Sequence, residues 1–299
     1  MIEVRELIKD YGPKRALDQL SFTAQPGMVT GFVGPTGSGK TTTLRIILGL
    51  DAPTSGTALV NGRSHTTIDR PRHTVGALLD AEPVQGPHAG HRSVADHLRF
   101  LAGNYGIDRR RVPDVLEEVG LTEVARQRIS DLPVSMRQRV GIAGALIGDP
   151  GVLLFDEPTH GVDAEGIQWI RDLMQSLADQ GRTVLVSSNH LSEMVVTADQ
   201  LLVINRGKLI MEAATGELIE RFQRDVLVRT PRRGGLARVL TGMGATVRAE
   251  SDGALSVIGM DSWRIAAAAA EHHIPIQELT PRSGSLEDFY LELTGTSVG

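Results

Sequence analysis

The sequence contains no cysteine, which excludes a disulfide framework, thiolate metal sites and thiol catalysis. It has no apolar run approaching the roughly 20 residues that cross a bilayer, so work at a membrane would need spans supplied by another chain. Lysine is scarce: of 31 basic residues only four are lysine, namely Lys9, Lys14, Lys40 and Lys208. The skew reads as that of a gene rich in G and C, with arginine in most ordinary basic positions, so each remaining lysine invites a reason. The opening MIEVRELIKD is charged and amphipathic, unlike a secretory leader, and the expected location is cytoplasmic. A formal charge of −5 argues against nucleic acid as the main partner. What is present is 299 residues, 41% of them hydrophobic, enough for about two domains with buried cores.

Short apolar runs alternate with helical patterns over residues 1–220. Strands are expected at Ile2–Leu7, Met28–Val33, Val152–Phe155, Thr183–Ser188 and Leu201–Ile204. The three central runs are almost continuously apolar, as in strands buried on both faces. Gly56–Gly62 ends in Asn61-Gly62, a hairpin-type turn, which points to an antiparallel subdomain. Residues 91–147 turn helical, with Leu98, Leu101 and Ala102, then Val115, Leu116 and Val119, at helical spacing. The fold class expected is therefore α/β with a helical insertion. Residues 221–299 read as a small α+β domain of order β-α-β-β-α-β, ferredoxin-like. Its elements are Asp225–Arg229, Pro231–Thr241, Thr246–Glu250, Leu255–Ile258, an Ala-rich helix after Asp261, and Ile274–Leu279. Ser285–Leu293 suggests a closing amphipathic helix.

The decisive motif is Gly34-Pro35-Thr36-Gly37-Ser38-Gly39-Lys40-Thr41, which fits GxxxxGK[ST] between an apolar strand and a helical pattern. Its glycines let backbone N–H groups converge on phosphate oxygens at a helix N-terminus. Lys40 suits the β and γ phosphates of ATP, Thr41 a magnesium ion through its hydroxyl, and Thr42 continues the cradle. A glycine-rich turn before an ordinary helix is the bland alternative, but chance yields the pattern in roughly one chain in a hundred. That one of four lysines falls here strengthens the reading. The run Val152-Leu153-Leu154-Phe155 then ends in Asp156 and Glu157, suited to a metal-side carboxylate and a general base.

These elements together resemble the ATP-binding subunit of an ABC transporter, of the exporter type found in actinobacterial drug and peptide efflux systems. The resemblance covers residues 1–220 and implies a P-loop NTPase core of ABC type. It implies that Tyr11 stacks on adenine, that Asp156 and Glu157 are the magnesium-side acid and the catalytic base, and that Gly161-Val162-Asp163 is the loop lining a dimer interface. RQRVGIAGALIGDP matches the helix after the family's signature, and SLEDFYLELTG its common tail. The implied cofactors are ATP and Mg²⁺. The implied partners are an integral membrane permease and a second ATP-binding subunit, with the chain peripheral on the inner face of the cell membrane. Export powered by ATP binding and hydrolysis is the implied function.

Three positions depart from the family pattern. The signature, LSGGQ or SLGM in relatives, reads Pro133-Val134-Ser135-Met136. Pro133 removes a hydroxyl and an N–H, leaving Ser135 as the remaining candidate contact to a partner's ATP. The switch histidine position holds Asn189, with His190 one place later. Asp80 stands where a metal-side glutamine is usual, and Gln85 lies five residues on. These gaps suggest weak or asymmetric hydrolysis. A regulatory subunit that binds ATP without turning it over stays open, as does a soluble ABC-type ATPase of repair or translation. The latter usually carries coiled-coil insertions or two cores in one chain. His88, His91 and His97 read as solvated loop histidines, and Phe100, Leu101 and Tyr105 as insertion core or as lining for a permease helix.

Overall fold

The chain divides into two units, Met1–Ala213 and Ala214–Gly299, and a computed structural model describes residues 1–79, 89–222 and 225–282. The first unit begins β1 (Ile2–Tyr11), β2 (Lys14–Ala24), β3 (Met28–Val33), α1 (Lys40–Ile47), β4 (Ser55–Val60), α2 (Pro71–Thr74) and β5 (Val75–Leu78). Three helices follow, α3 (Val94–Tyr105), α4 (Arg111–Glu118) and α5 (Val134–Leu146). It ends with β6 (Val152–Asp156), α6 (Ala164–Asp179), β7 (Thr183–Ser188), α7 (Leu191–Val195), β8 (Gln200–Asn205) and β9 (Lys208–Ala214).

A six-stranded sheet of order β5-β6-β7-β3-β8-β9 forms the centre. Every residue of β6 and β7 is buried, which explains the apolar runs 152–155 and 184–186: parallel strands covered on both faces have no solvent side. β1, β2 and β4 form a separate antiparallel sheet of order β2-β1-β4. Its inner face, including Ile2, Leu7, Leu17, Leu20 and Phe22, shares one core with Phe32, Leu44, Leu154 and Leu185. Phe22 and Phe32 join the two sheets with ring centroids 5.3 Å apart. The α/β core with an antiparallel subdomain and a helical insertion is as expected.

Some elements differ from their expected bounds. β2, β5 and β9 have no counterpart among the expected strands. β2 loses its period at Gln19, which takes a left-handed backbone (φ 56) beside a register shift between the Leu7 and Lys9 pairings. The Asn61-Gly62 turn closes only on an isolated Val60–Arg63 bridge, because β4 pairs with β1 instead. His97 is buried on α3, not solvated in a loop.

The second unit runs α8 (Thr215–Phe222), β10 (Asp225–Arg229), α9 (Arg233–Gly242), β11 (Thr246–Ala249), β12 (Leu255–Ile258), α10 (Ser262–Glu271) and β13 (Glu278–Arg282). Its sheet has order β11-β12-β10-β13 with all three pairings antiparallel, the arrangement of a ferredoxin-like unit. Leu236 and Leu240 of α9 and Ile265, Ala268 and Ala269 of α10 pack on Val226, Val228 and Val257. Asp261 stands at the α10 N-cap without a side-chain cap bond. The last strand begins at Glu278 rather than Ile274, since Pro275 has no N–H to give a ladder. The expected helix Ser285–Leu293 lies outside the described residues.

One glycine decides where the helical insertion rests. A Cβ on Gly76 of β5 would lie 2.1 Å from the Ala145 carbonyl oxygen of α5, so helix backbone rides directly on strand backbone. Gly76→Val should force α5 off the sheet and destabilise the chain by about 1–3 kcal/mol or more. Phe32→Ala, which empties the junction of the two sheets, should cost about 3–5 kcal/mol. Urea-unfolding midpoints of the two variants check both; an unchanged midpoint would contradict the packing described.

Candidate functional site

The loop 34–39 leaves the end of β3 and enters α1. Gly39 is the N-cap of α1 with φ 113, a conformation that L side chains rarely adopt. No side chain caps the helix, so the first N–H groups of α1 are directed at the loop mouth, with the positive end of the helix dipole behind them. The loop is held from below: Gly207 N–H, in the turn between β8 and β9, donates to Ser38 O at 2.8 Å. Gly34 and Ser38 are buried and Pro35 is half-buried. The Ser38 hydroxyl is buried without a hydrogen-bond partner.

Lys40 is buried, and its ammonium donates to Gly34 O at 2.7 Å and lies 3.4 Å from Glu157 Oε1. Burial pushes its pKa down, opposed by the charge of Glu157 and then Asp156. Thr41 Oγ1 donates to Asp156 Oδ2 at 2.7 Å, and the Ser187 hydroxyl donates to the other carboxylate oxygen. Asp156 is thus held between α1 and β7, through the pairing of Asp156 with Ser187 in the β6–β7 ladder. Glu157 follows in the left-handed region at φ 45, a costly backbone for a non-glycine residue unless its surroundings hold it there. They do: its N–H meets Ser187 Oγ at 3.0 Å and Ser187 O at 3.2 Å, and its carbonyl accepts from His160 N–H at 3.1 Å.

A cleft of about 390 Å³ brings together Tyr11, Thr36, Gly37, Gly39, Lys40, Thr41, Thr42 and Glu157. Lys14, Arg15 and Arg206 line it too, and they were not anticipated. A second hollow of about 230 Å³ opens beside Glu157 and is lined by Ser188, Asn189 and His190 with His160 and Glu193. Glu157 is therefore shared by both. His190 is the N-cap residue of α7, and its N–H donates to Ser188 Oγ at 3.0 Å.

Gly34, Pro35, Ser38 and Asp156 support these spaces without lining them, and the expected residues Asp163 and Ser135 line neither. Asp163 caps α6, its Oδ1 accepting from Gly166 N–H at 2.9 Å. Ser135 sits in the first turn of α5, its Cβ 3.2 Å from where a Cβ on Gly166 would stand, and Val134 beside it is 43% exposed. The α5 N-terminus begins at Pro133 with no side-chain cap. Asp80 lies outside the described residues. Ser187 was missed although its hydroxyl alone makes two bonds to the site; its only sequence signal is a hydroxyl at the end of a buried strand.

A family model described as ABC transporter matches residues 17–160, and one described as a domain of unknown function (DUF8746) matches residues 224–287. The daunorubicin/doxorubicin resistance ATP-binding protein DrrA of Streptomyces peucetius is 30% identical over 304 residues, covering 98% of this chain and 92% of that protein. The bacitracin transport ATP-binding protein BcrA of Bacillus licheniformis is 31% identical, covering 99% and 97%. The solved cassette MJ0796, a dimer bound to ADP and Pi, superposes with a TM-score of 0.63 at 23% identity, covering 72% of this chain and 99% of that one; this likeness bears on the fold. Among the described residues no helix is long and apolar enough to cross a membrane. Relatives matched along nearly their whole length, on top of a phosphate loop and an acid pair joined by direct hydrogen bonds, show that the chain belongs to the ATP-binding proteins of ABC transporters, the ATPase subunits of these systems.

Proposed function

We propose that this chain binds and hydrolyses ATP to drive export through a separate membrane permease, and that its phosphate-loop site is complete while its signature end is weak. The observation that carries the first part is the convergence of Lys40, Thr41, Asp156 and Glu157 within one hydrogen-bonded cluster. The names of the relatives, which concern drug resistance and bacitracin transport, support export of a drug- or peptide-like molecule.

The α1 N-terminus and the loop 34–39 bind the phosphates, with Lys40 on the β and γ groups. Tyr11, exposed at the cleft wall, offers its ring to adenine. The Thr41 hydroxyl and the Asp156 carboxylate place hard oxygen atoms 2.7 Å apart, a donor pair that fits Mg²⁺. When bound there, the ion supplies charge neutralisation at the β and γ oxygens. Glu157 orients the attacking water and takes its proton as the water oxygen bonds to the γ-phosphorus and the bond to the β-phosphate oxygen breaks. Asn189 can donate a hydrogen bond but carries no positive charge, and His190 and His160 line the same hollow.

The signature end is where the family pattern fails. Pro133 has neither hydroxyl nor N–H, and Val134 and Ser135 put side chains where a backbone would approach a partner's phosphate. Each lost bond to a charged group weakens that composite site by roughly tenfold or more. A second subunit with an intact signature completes the site on this chain, which is the asymmetric arrangement we favour. Retention of Glu157 argues against a subunit that binds ATP without turnover.

Glu157→Gln should lower ATP turnover about 10²–10⁴-fold while ATP binding, followed by calorimetry, persists. Equal turnover in the variant would remove Glu157 from the chemistry. For the signature, the triple change Pro133→Ser, Val134→Gly and Ser135→Gly should raise steady-state phosphate release by the purified chain about tenfold. Robust release by the unaltered chain alone, with no gain in the variant, would end the idea of an impaired signature.

A further inference from the structure

Tyr11 is the last residue of β1 and is 46% exposed, yet its ring is fixed on several sides. Its hydroxyl donates to Asp51 Oδ2 at 3.0 Å. Lys9 Nζ stands 4.7 Å from the ring centroid and donates to Ala52 O at 2.7 Å, so the ammonium covers one face of the ring. Asp51 is held in turn by Arg45, whose Nε and Nη2 reach its two oxygens at 2.9 and 3.2 Å. This planar fork is the geometry that a guanidinium gives a carboxylate. Arg45 lies on α1, the same helix that carries Lys40 and Thr41. Through Asp51, then, the aromatic ring is referenced to the helix that holds the phosphate-binding groups.

The arrangement has a direction. Tyr11 lines the cleft while Lys9 does not, so the face covered by the ammonium is the one turned away from the cleft, and the opposite face is left to a ligand. A half-exposed tyrosine without such contacts would exchange rotamers and lose that freedom on stacking, at a cost in affinity. Here the freedom is removed in advance. Arg45, first, and then the Tyr11 hydroxyl and Lys9 hold the Asp51 carboxyl below its usual range, so the clamp stays charged at neutral pH.

We propose that Asp51, assisted by Lys9, is a positioning residue for nucleobase recognition: it sets the Tyr11 ring as a ready platform for a planar purine at a fixed distance from the phosphate loop. The inference rests on the ATP-binding reading above. It assigns to Asp51 no contact with the nucleotide; its effect passes through Tyr11.

The test compares ATP with inorganic tripolyphosphate, which carries the phosphates and no base, by calorimetric titration of the full chain with Mg²⁺. Asp51→Ala should weaken ATP binding about three- to tenfold, the range of one aromatic stacking contact, and leave tripolyphosphate binding unchanged. Tyr11→Phe, which keeps the ring and removes the hydroxyl clamp, should reproduce that selective loss and serves if Asp51→Ala folds poorly. In a Tyr11→Leu background, Asp51→Ala should have no further effect on ATP. The proposal is overturned if both Asp51→Ala and Tyr11→Phe bind ATP as the parent chain does. It is equally overturned if ATP and tripolyphosphate weaken alike, or if Asp51→Ala still weakens ATP without the Tyr11 ring. Failure of the unaltered chain to bind ATP at all would instead refute the reading of the site on which the proposal stands.

Discussion

A carboxylate at the end of a fully buried strand must find hydrogen-bond donors or lose its charge, and Asp156 finds two, the hydroxyls of Thr41 and Ser187. Those two bonds bind β6 to α1 on one side and to β7 on the other. Glu157 inherits its position from them: its strained backbone is held by the same Ser187 that satisfies Asp156. Lys40 then spans from Gly34 to Glu157, closing a ring of polar contacts at the C-terminal ends of three parallel strands. Phosphate loop and acid pair are thus one rigid object rather than two motifs that happen to be near.

How much of this was readable in the sequence depends on how far apart the partners lie in the chain. The phosphate loop was readable because its whole geometry is encoded in eight consecutive residues, glycines included. Asp156 and Glu157 were readable because an apolar run ending in two acids is a local pattern. Ser187 was not, since only the parallel pairing of β6 and β7 brings it 31 positions back to Asp156. Arg206 and Lys14 line the cleft because the turn after β8 and the start of β2 grip the loop from outside, a fact of packing with no periodic trace. The βαββαβ order of the second unit was legible from its alternating patterns, whereas β2 was hidden by the irregular backbone at Gln19. Asn189 and Ser135 stood out only against a family pattern.

The junction of α5 and α6 relates the helical insertion to the core. Arg139 of α5 stacks on Trp169 of α6 at 4.2 Å, and Ser135 and Val134 lie against Gly166 and Gly161. Burial lowers the pKa of Arg139, opposed by Glu165 and Asp163, so this contact has apolar as well as ionic character. With Gly76 seating the other end of α5 on β5, the helix is fixed at both ends.

The scarcity of lysine has a practical side. Lys40 lies inside the phosphate loop, Lys14 lines the cleft, Lys9 backs the Tyr11 ring, and Lys208 follows the turn that grips the loop, pairing with Asp18. The 27 arginines are inert to amine-directed reagents. Apart from the α-amino group, then, amine-directed labelling of this molecule reports on four side chains, two lining the cleft, one behind the Tyr11 ring and one after the turn that grips the loop.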